Sequence, residues 1–598
     1  MTMIAKRGSS GWAPRERGRR ASRMSEMFRA RSTWTLAIAA VGLMSSSLVT
    51  SCPVNLTRNN DLRYGEPEIA VNPKNPNNMV YYVMSNQLTY QCEAAHDPNC
   101  AIDALSGSPI GTYTTPGWLS THIYVTFDHG HTWQDVTSQL PQNGTPAPTV
   151  VTDFTGTHVQ DHSDLLTRGD PMVTVAADGT FYIGWDAMHL GTIFLPPGFT
   201  FGGRVICPAS TPPPGCPVRG LIAGGIAVSK STDGGRTWSV AHLTGTGVDR
   251  PWMATDLSTG TIYEASSGSI NSSMSTGDPL LPSAVPGVTP DRYVVSSTDG
   301  VSWTQPAGLG GGGFSGANGS NISAARGSLA ASFHVAAGND AACQFFAGAT
   351  SPCTIFETST DSGAHWTRHA VPGLANATGS ILVAADPVKP GTYTVAATDP
   401  TTTQFLVYVT HDSGLDWSGP AVVTDGSDSC PALSASACKF KSWINYSPQG
   451  LLGLAWRSAN VSAGSAAAVQ VASAALSSGE PDPADEGPPP CDMLGCGVAP
   501  PDDENDLDPA PVPYTMWAAI SGDAGATFTE PLQVSPDASA PADPNMLTGT
   551  DDTSVIALNG VDVLVGWGQW PNGTSPDGLP FNVQGYIAEV PIPLFFHH

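Results

Sequence analysis

Arginine is scarce in the body of this 598-residue chain: eleven follow Cys52. Three of them fall in acid-bearing stretches that also hold a proline, RYGEPEIAV (63–71), RGDPMVTV (168–175) and DRPWMATD (249–256). Arg63, Arg168 and Arg250 could converge as bidentate donors on one anionic group, because a guanidinium is a planar fork that matches a carboxylate. The alternative is architectural, each arginine pairing with its neighbouring acid, Glu66, Asp170 or Asp249. Two similar stretches, KSWINY (441–446) and GTDDTSV (549–555), add Trp443, Asp551 and Asp552. Tyr64, Tyr293 and Tyr446 are candidate nucleophiles, and Glu66, Asp170, Asp249, Asp551 and Asp552 are candidate acids. Trp252, Trp443, Trp456 and Trp567 offer faces for stacking on a sugar ring or for packing between elements.

These stretches must be held by strands. Gly numbers 64 and Pro 52, a content of turn residues that implies many short strands. Short runs rich in Val, Ile, Tyr and Ala lie between them, partly alternating, such as MVTVAAD (172–178), TFYIGWDA (180–187), GGIAVSKS (224–231) and WSVAHL (238–243). Similar quartets begin near Glu68, Trp252, Ile322, Ile381 and Trp443, and a seventh unit, 554–590, lacks a clear fourth strand. The pattern predicts an all-β propeller of seven four-stranded blades, with six as the alternative, over residues 65–598. Residues near 55–63 would supply the missing strand and close the ring. Chemistry is then expected near the axis, in the residues that precede each first strand.

An octet punctuates the units: TFDHGHTW (126–133), STDGGRTW (231–238), STDSGAHW (359–366), THDSGLDW (410–417) and SGDAGATF (521–528), with a shorter STDGVSW at 297–303. Its Asp and Ser/Thr side chains can accept turn N–H groups, and its glycine tolerates positive φ. Asp128, Asp233, Asp361, Asp412 and Asp523 are therefore expected to be architectural. The pattern S/T-x-D-x-G-x-x-W resembles the Asp-box, or BNR, repeat of the sialidase superfamily. That resemblance implies a propeller with each box on the turn between third and fourth strands, at the blade periphery. It also implies an arginine triad for a substrate carboxylate, a Tyr nucleophile helped by a Glu, and an Asp acid/base. The chain departs from the family in lacking an early Arg-Ile-Pro-type motif: Arg63 is followed by Tyr-Gly-Glu-Pro.

Residues 1–51 carry nine of the 25 basic residues and two of the 51 acids, leaving 16 basic against 49 acidic residues in the body. Such a body should repel nucleic acid and anionic membrane. The basic start, the apolar run 33–44 and the small residues after it have the layout of a signal peptide, expected over 1–51. VTSC (49–52) resembles the bacterial lipobox, which implies cleavage before Cys52 and acylation of its thiol, with residues 52–64 as a tether. Plain secretory cleavage is the alternative. The other ten cysteines fall into close pairs: Cys92 with Cys100, Cys207 with Cys216, Cys343 with Cys353, Cys430 with Cys438 and Cys491 with Cys496. That usage suits disulfides in an oxidising compartment.

Residues 188–222 and the acidic, Pro-rich 476–512 read as insertions. DDENDLD (502–508) offers hard oxygens for Ca²⁺ but lacks a calcium loop's spacing. No other cofactor or metal is expected. QDHSD (160–164), with His158 nearby, and GLGGGGFSG (308–316) read as loops. Three functions remain open: an extracytoplasmic, monomeric propeller binding glycan or cell-surface protein; an exo-sialidase-type glycoside hydrolase; and a structural envelope protein with a cation-binding loop.

Overall fold

The structure is a computed structural model. It describes residues 53–57, 63–86, 119–140, 150–152, 158–160, 167–195, 216–244, 249–267, 292–304, 322–335, 353–374, 378–399, 404–425, 439–459, 514–535, 554–569 and 584–596, with short stretches at 197–198, 200–201, 204–205, 208–212, 307–308 and residue 402. Its contacts form one unit from Ser51 to His598.

Seven four-stranded antiparallel sheets follow one another along that unit. We number the blades in chain order by their first strands: Arg63–Val71, Thr167–Val175, Asp249–Thr255, Ile322–Ala325, Thr378–Ala385, Lys439–Tyr446 and Val555–Leu558. Each first strand packs against the first strands of both neighbouring blades, and that of blade 7 meets that of blade 1. The sheets therefore close a seven-bladed propeller, not six. Blade 7 takes its outermost strand from the opposite end of the unit, Val54–Asn55 pairing with Ile587 and Tyr586. Thr57 secures that closure: its hydroxyl donates to Gln584 Oε1 at 2.7 Å and accepts from Gly585 N at 3.2 Å.

Two boundaries differ from expectation. The first strands begin earlier, so the arginine- and acid-bearing stretches lie within them instead of before them. The insertion expected at 188–222 is largely strand: the second and third strands of blade 2 continue as a long hairpin, Phe181–Leu195 against Cys216–Ser231, and a small hairpin of Thr200–Phe201 and Arg204–Val205 lies between them in sequence. Pairing gains both hydrogen bonds per residue for backbone that would otherwise rely on water.

Among the described residues the buried apolar side chains fall into seven clusters, one per blade–blade interface. Strands are thus covered on both faces, which is why Cys353–Ser359 and Tyr393–Thr398 are buried throughout. The octets tie these interfaces at the periphery. In blade 2, Ser231 Oγ donates to Asp233 Oδ1 at 2.8 Å and accepts from Gly235 N at 2.9 Å, while Thr237 N and Oγ1 donate to the same carboxylate at 3.0 and 2.7 Å. The pattern recurs at Asp128, Asp361, Asp412 and Asp523. The Thr132 hydroxyl and amide hold the Asp128 carboxyl down at about 2, and His365 does the same for Asp361. The box aromatic then packs on the preceding blade, as Trp417 does edge-on to Phe356 at 5.1 Å. All five aspartates are used by their own turns and face no axial site.

The expected cysteine pairs fall mostly beyond this frame. Cys353 opens the third strand of blade 4 and is disulfide-bonded. Cys216 opens the third strand of blade 2, where only its backbone is described. Cys92, Cys100, Cys207, Cys343, Cys430, Cys438, Cys491 and Cys496 lie outside the described residues. All five pairings, Cys92 with Cys100, Cys207 with Cys216, Cys343 with Cys353, Cys430 with Cys438 and Cys491 with Cys496, therefore stay expectations of sequence spacing alone.

Candidate axial site

A cavity of about 170 Å³ lies on the axis, lined by first-strand residues of all seven blades. Beyond one end of its lining the first strands carry a repeated irregularity. The first strands of blades 1, 2 and 3 each carry a β-bulge, between Gly65 and Glu68, Gly169 and Met172, and Asp249 and Trp252. Blades 5 and 6 carry one too, ending at Leu382 and Trp443. Proline explains the first three, since Pro67, Pro171 and Pro251 lack the N–H a regular ladder needs. A bulge re-aims the side chains beside it and is common next to functional sites.

Glu66 and Asp170 occupy matching bulge positions, each directly before its proline. Both are left-handed, with φ of 53° and 44°. A residue before proline normally stays extended, so the neighbouring structure must hold this conformation. One restraint is direct: Asp170 N donates to Glu66 Oε2 at 3.1 Å across the blade 1–blade 2 interface. Glu66 is buried and Asp170 half-buried. These two expected acids are therefore brought together.

The register sets the three arginines at different heights. Counted to the first residue after the bulge, Arg63 precedes Glu68 by five positions, Arg168 precedes Met172 by four and Arg250 precedes Trp252 by two. They share the starting end of the first strands of three adjacent blades without occupying equivalent positions. Arg250 instead matches Glu66 and Asp170. The side chains of Arg63, Tyr64, Arg168, Asp249 and Arg250 lie outside the described residues, as do Asp551, Asp552, Cys52, residues 1–51 and the 502–508 acidic stretch.

Immediately inside the bulges sits a layer formed by Glu68, Met172, Trp252 and Trp443. Trp252 and Trp443 belong to blades 3 and 6, which are not neighbours, yet their rings stack at 4.8 Å and 25°. The stack crosses the axis. It uses one face of each indole for the other, and both residues keep partial exposure. Tyr446, in contrast, is buried between blades, its hydroxyl bonded to Thr394 Oγ1 at 2.8 Å and its ionisation pushed up by burial. That placement removes it as a nucleophile.

Glu68 is the site residue that the sequence reading missed. It lines the cavity, is 3% exposed, and its Oε1 has no hydrogen-bond partner among the described residues. Burial raises its carboxyl well above the ordinary value, because a carboxylate loses its hydration there without compensation. The signal was present as an acid opening an otherwise apolar run, Glu68-Ile69-Ala70-Val71. The layer thus combines a carboxyl that burial pushes towards its acid form, an aromatic stack and, one step outward, a pair of constrained acids.

No family model matches the chain, and no curated protein matches it. Solved structures do. A protein of unknown function from Dyadobacter fermentans is 15% identical, with 69% of this chain and 95% of that one covered and a TM-score of 0.36. The Hadza microbial sialidase Hz136 is 15% identical over 80% of this chain and 73% of that one, at a TM-score of 0.34. The NanB sialidase from Streptococcus pneumoniae is 10% identical over 69% of this chain and 66% of that one, at 0.35. The propeller itself rests on the strand pairings given above.

Proposed function

We propose that the protein binds carbohydrate on the axis at the bulge end of the cavity, with the Trp252–Trp443 stack as the apolar platform and Glu66, Asp170 and Glu68 as polar contacts. The observation that carries this proposal is the convergence of the stack and Glu68 at one end of the cavity. Sugars present C–H faces that pack on indole and hydroxyls that hydrogen-bond to carboxyls, and such pockets pair apolar walls with a few placed polar groups. Arg63, Arg168 and Arg250 would add recognition of an acidic sugar. A glycan-array screen of the purified protein, repeated with Trp252→Ala, tests it. Binding that is lost in the variant is the expected result; binding that survives the change would remove the axial platform.

A second function, hydrolysis of a carboxylated sugar of the sialidase type, is favoured by Glu68, since a carboxyl held in its acid form can serve as a proton donor. Turnover of a fluorogenic sialoside that falls with Glu68→Gln is its test; no turnover leaves the binding function alone. We further propose an extracytoplasmic location with Cys52 acylated, which mass spectrometry of the membrane-associated protein checks.

A further inference from the structure

We propose that His129, Asp562 and Glu589 form a site for one first-row transition-metal dication, of the zinc or manganese type, at the seam where blade 7 closes on blade 1. His129 belongs to the octet turn of blade 1. Asp562 opens the second strand of blade 7 and Glu589 lies in its third. One ligand atom from each lies within 4.8 Å of the others. Ligands about 2.1 Å from a tetrahedral metal stand about 3.4 Å from one another, so closure needs side-chain movements of up to about an ångström. One imidazole with two carboxylates suits zinc, manganese or iron better than calcium, which takes oxygen alone.

The seam departs from every other octet interface. Elsewhere the box glycine faces no carboxylate of the preceding blade: Gly235 faces Val125, Gly300 faces Tyr182, Gly363 faces Val294, Gly414 faces Phe356 and His369, and Gly525 faces Thr394. Gly130 alone faces a carboxylate, with Glu589 Oε2 3.2 Å from where a Cβ would stand. A half-buried charge at a packing interface is costly unless something compensates it.

The described contacts compensate poorly. Asn559 Nδ2 approaches both His129 Nδ1 and Asp562 Oδ2, at 3.3 and 3.4 Å, too long for strong bonds. The amide cannot flip, because its Oδ1 accepts from Val561 N and Asp562 N at 2.9 and 2.7 Å. Its N–H group therefore faces Nδ1, which must offer a lone pair. Two acceptors share one long-range donor with a third, Glu589, beside them, and among the described residues the ion pairs lie elsewhere. A dication would satisfy them and would hold together the one interface closed by a two-residue strand.

A proton shared between Glu589 and Asp562 is the competing occupant. The test uses full-length protein stripped with EDTA and desalted, titrated with Co²⁺ and followed by its visible ligand-field absorption, with Zn²⁺ as competitor. Saturation near one equivalent, displaced by Zn²⁺ and accompanied by a higher unfolding temperature, is expected. His129→Asn, which tolerates the left-handed turn, and Glu589→Gln should each weaken binding at least about tenfold while retaining the native circular dichroism. Absence of saturable binding overturns the proposal in favour of the proton. Binding unchanged in both variants also overturns it, by assigning the metal elsewhere, such as His597 and His598.

Discussion

Replacing Gly414 with alanine measures how much an octet contributes to the junction between blades. Gly414 sits at φ 96°, where a Cβ would lie 2.8 Å from Phe356 Cδ1 and 2.9 Å from His369 Cδ2. Phe356 cannot retreat: it is fully buried and boxed by Tyr393 at 5.3 Å and Trp417 at 5.1 Å. The left-handed backbone costs an alanine about 1–2 kcal/mol, and forcing a methyl into a filled interface adds about 1–3 kcal/mol. Gly260 supplies the control, with φ 75° and nothing within 4 Å of its Cβ position. Gly260→Ala should therefore cost only the backbone term, about 1–2 kcal/mol. Urea denaturation of both variants gives the difference. Because blades can open separately, hydrogen exchange in the strands of blades 4 and 5 shows where it falls. Equal losses in the two variants would refute the idea that the box glycine is required by the neighbouring blade.

Ser231→Ala removes a buried hydroxyl that both donates to Asp233 and accepts from Gly235 N; a loss of about 1–3 kcal/mol in urea denaturation is expected. Thr57→Ala should cost a similar ~1–3 kcal/mol and raise hydrogen exchange selectively in Gln584–Pro591, the strand to which Val54–Asn55 pairs. Glu68 carries a pH signature. Its folded-state value lies above the ordinary 4.5, so the folded protein holds a proton that the unfolded chain releases. Its contribution is fully present below that ordinary value and is lost as pH rises towards the folded value, by about 1.4 kcal/mol per pH unit within that window. Glu68→Gln should abolish this part of the slope in pH-dependent denaturation, and an unchanged slope would show that the carboxyl is already solvated.

Much of the architecture was legible because its causes are local. Each octet closes its own turn through hydrogen bonds spanning four residues, as from Thr527 to Asp523 and from Gly525 to Ser521. A Ser/Thr, an Asp and a Gly at fixed offsets therefore predict that turn wherever they recur. Counting such turns with their flanking apolar runs yields seven blades, and a last blade short of one strand implies closure from the other end of the chain. The same local logic misplaced the starts of the first strands, since proline and paired acids read as loop, whereas a bulge accommodates them within the ladder.

The site depended on longer distances. The bulge register decided that Arg63, Arg168 and Arg250 stand at different heights and that Glu66 matches Asp170. Ring closure decided that Trp252 meets Trp443 across the axis, and that His129 meets Asp562 and Glu589. It also sealed Glu68 from water and so raised its carboxyl above the ordinary value. Turn chemistry acts over a few bonds and is written in adjacent residues. Burial and cross-ring contact depend on where whole sheets come to rest, and seven sheets share a single axis only once the last has joined the first.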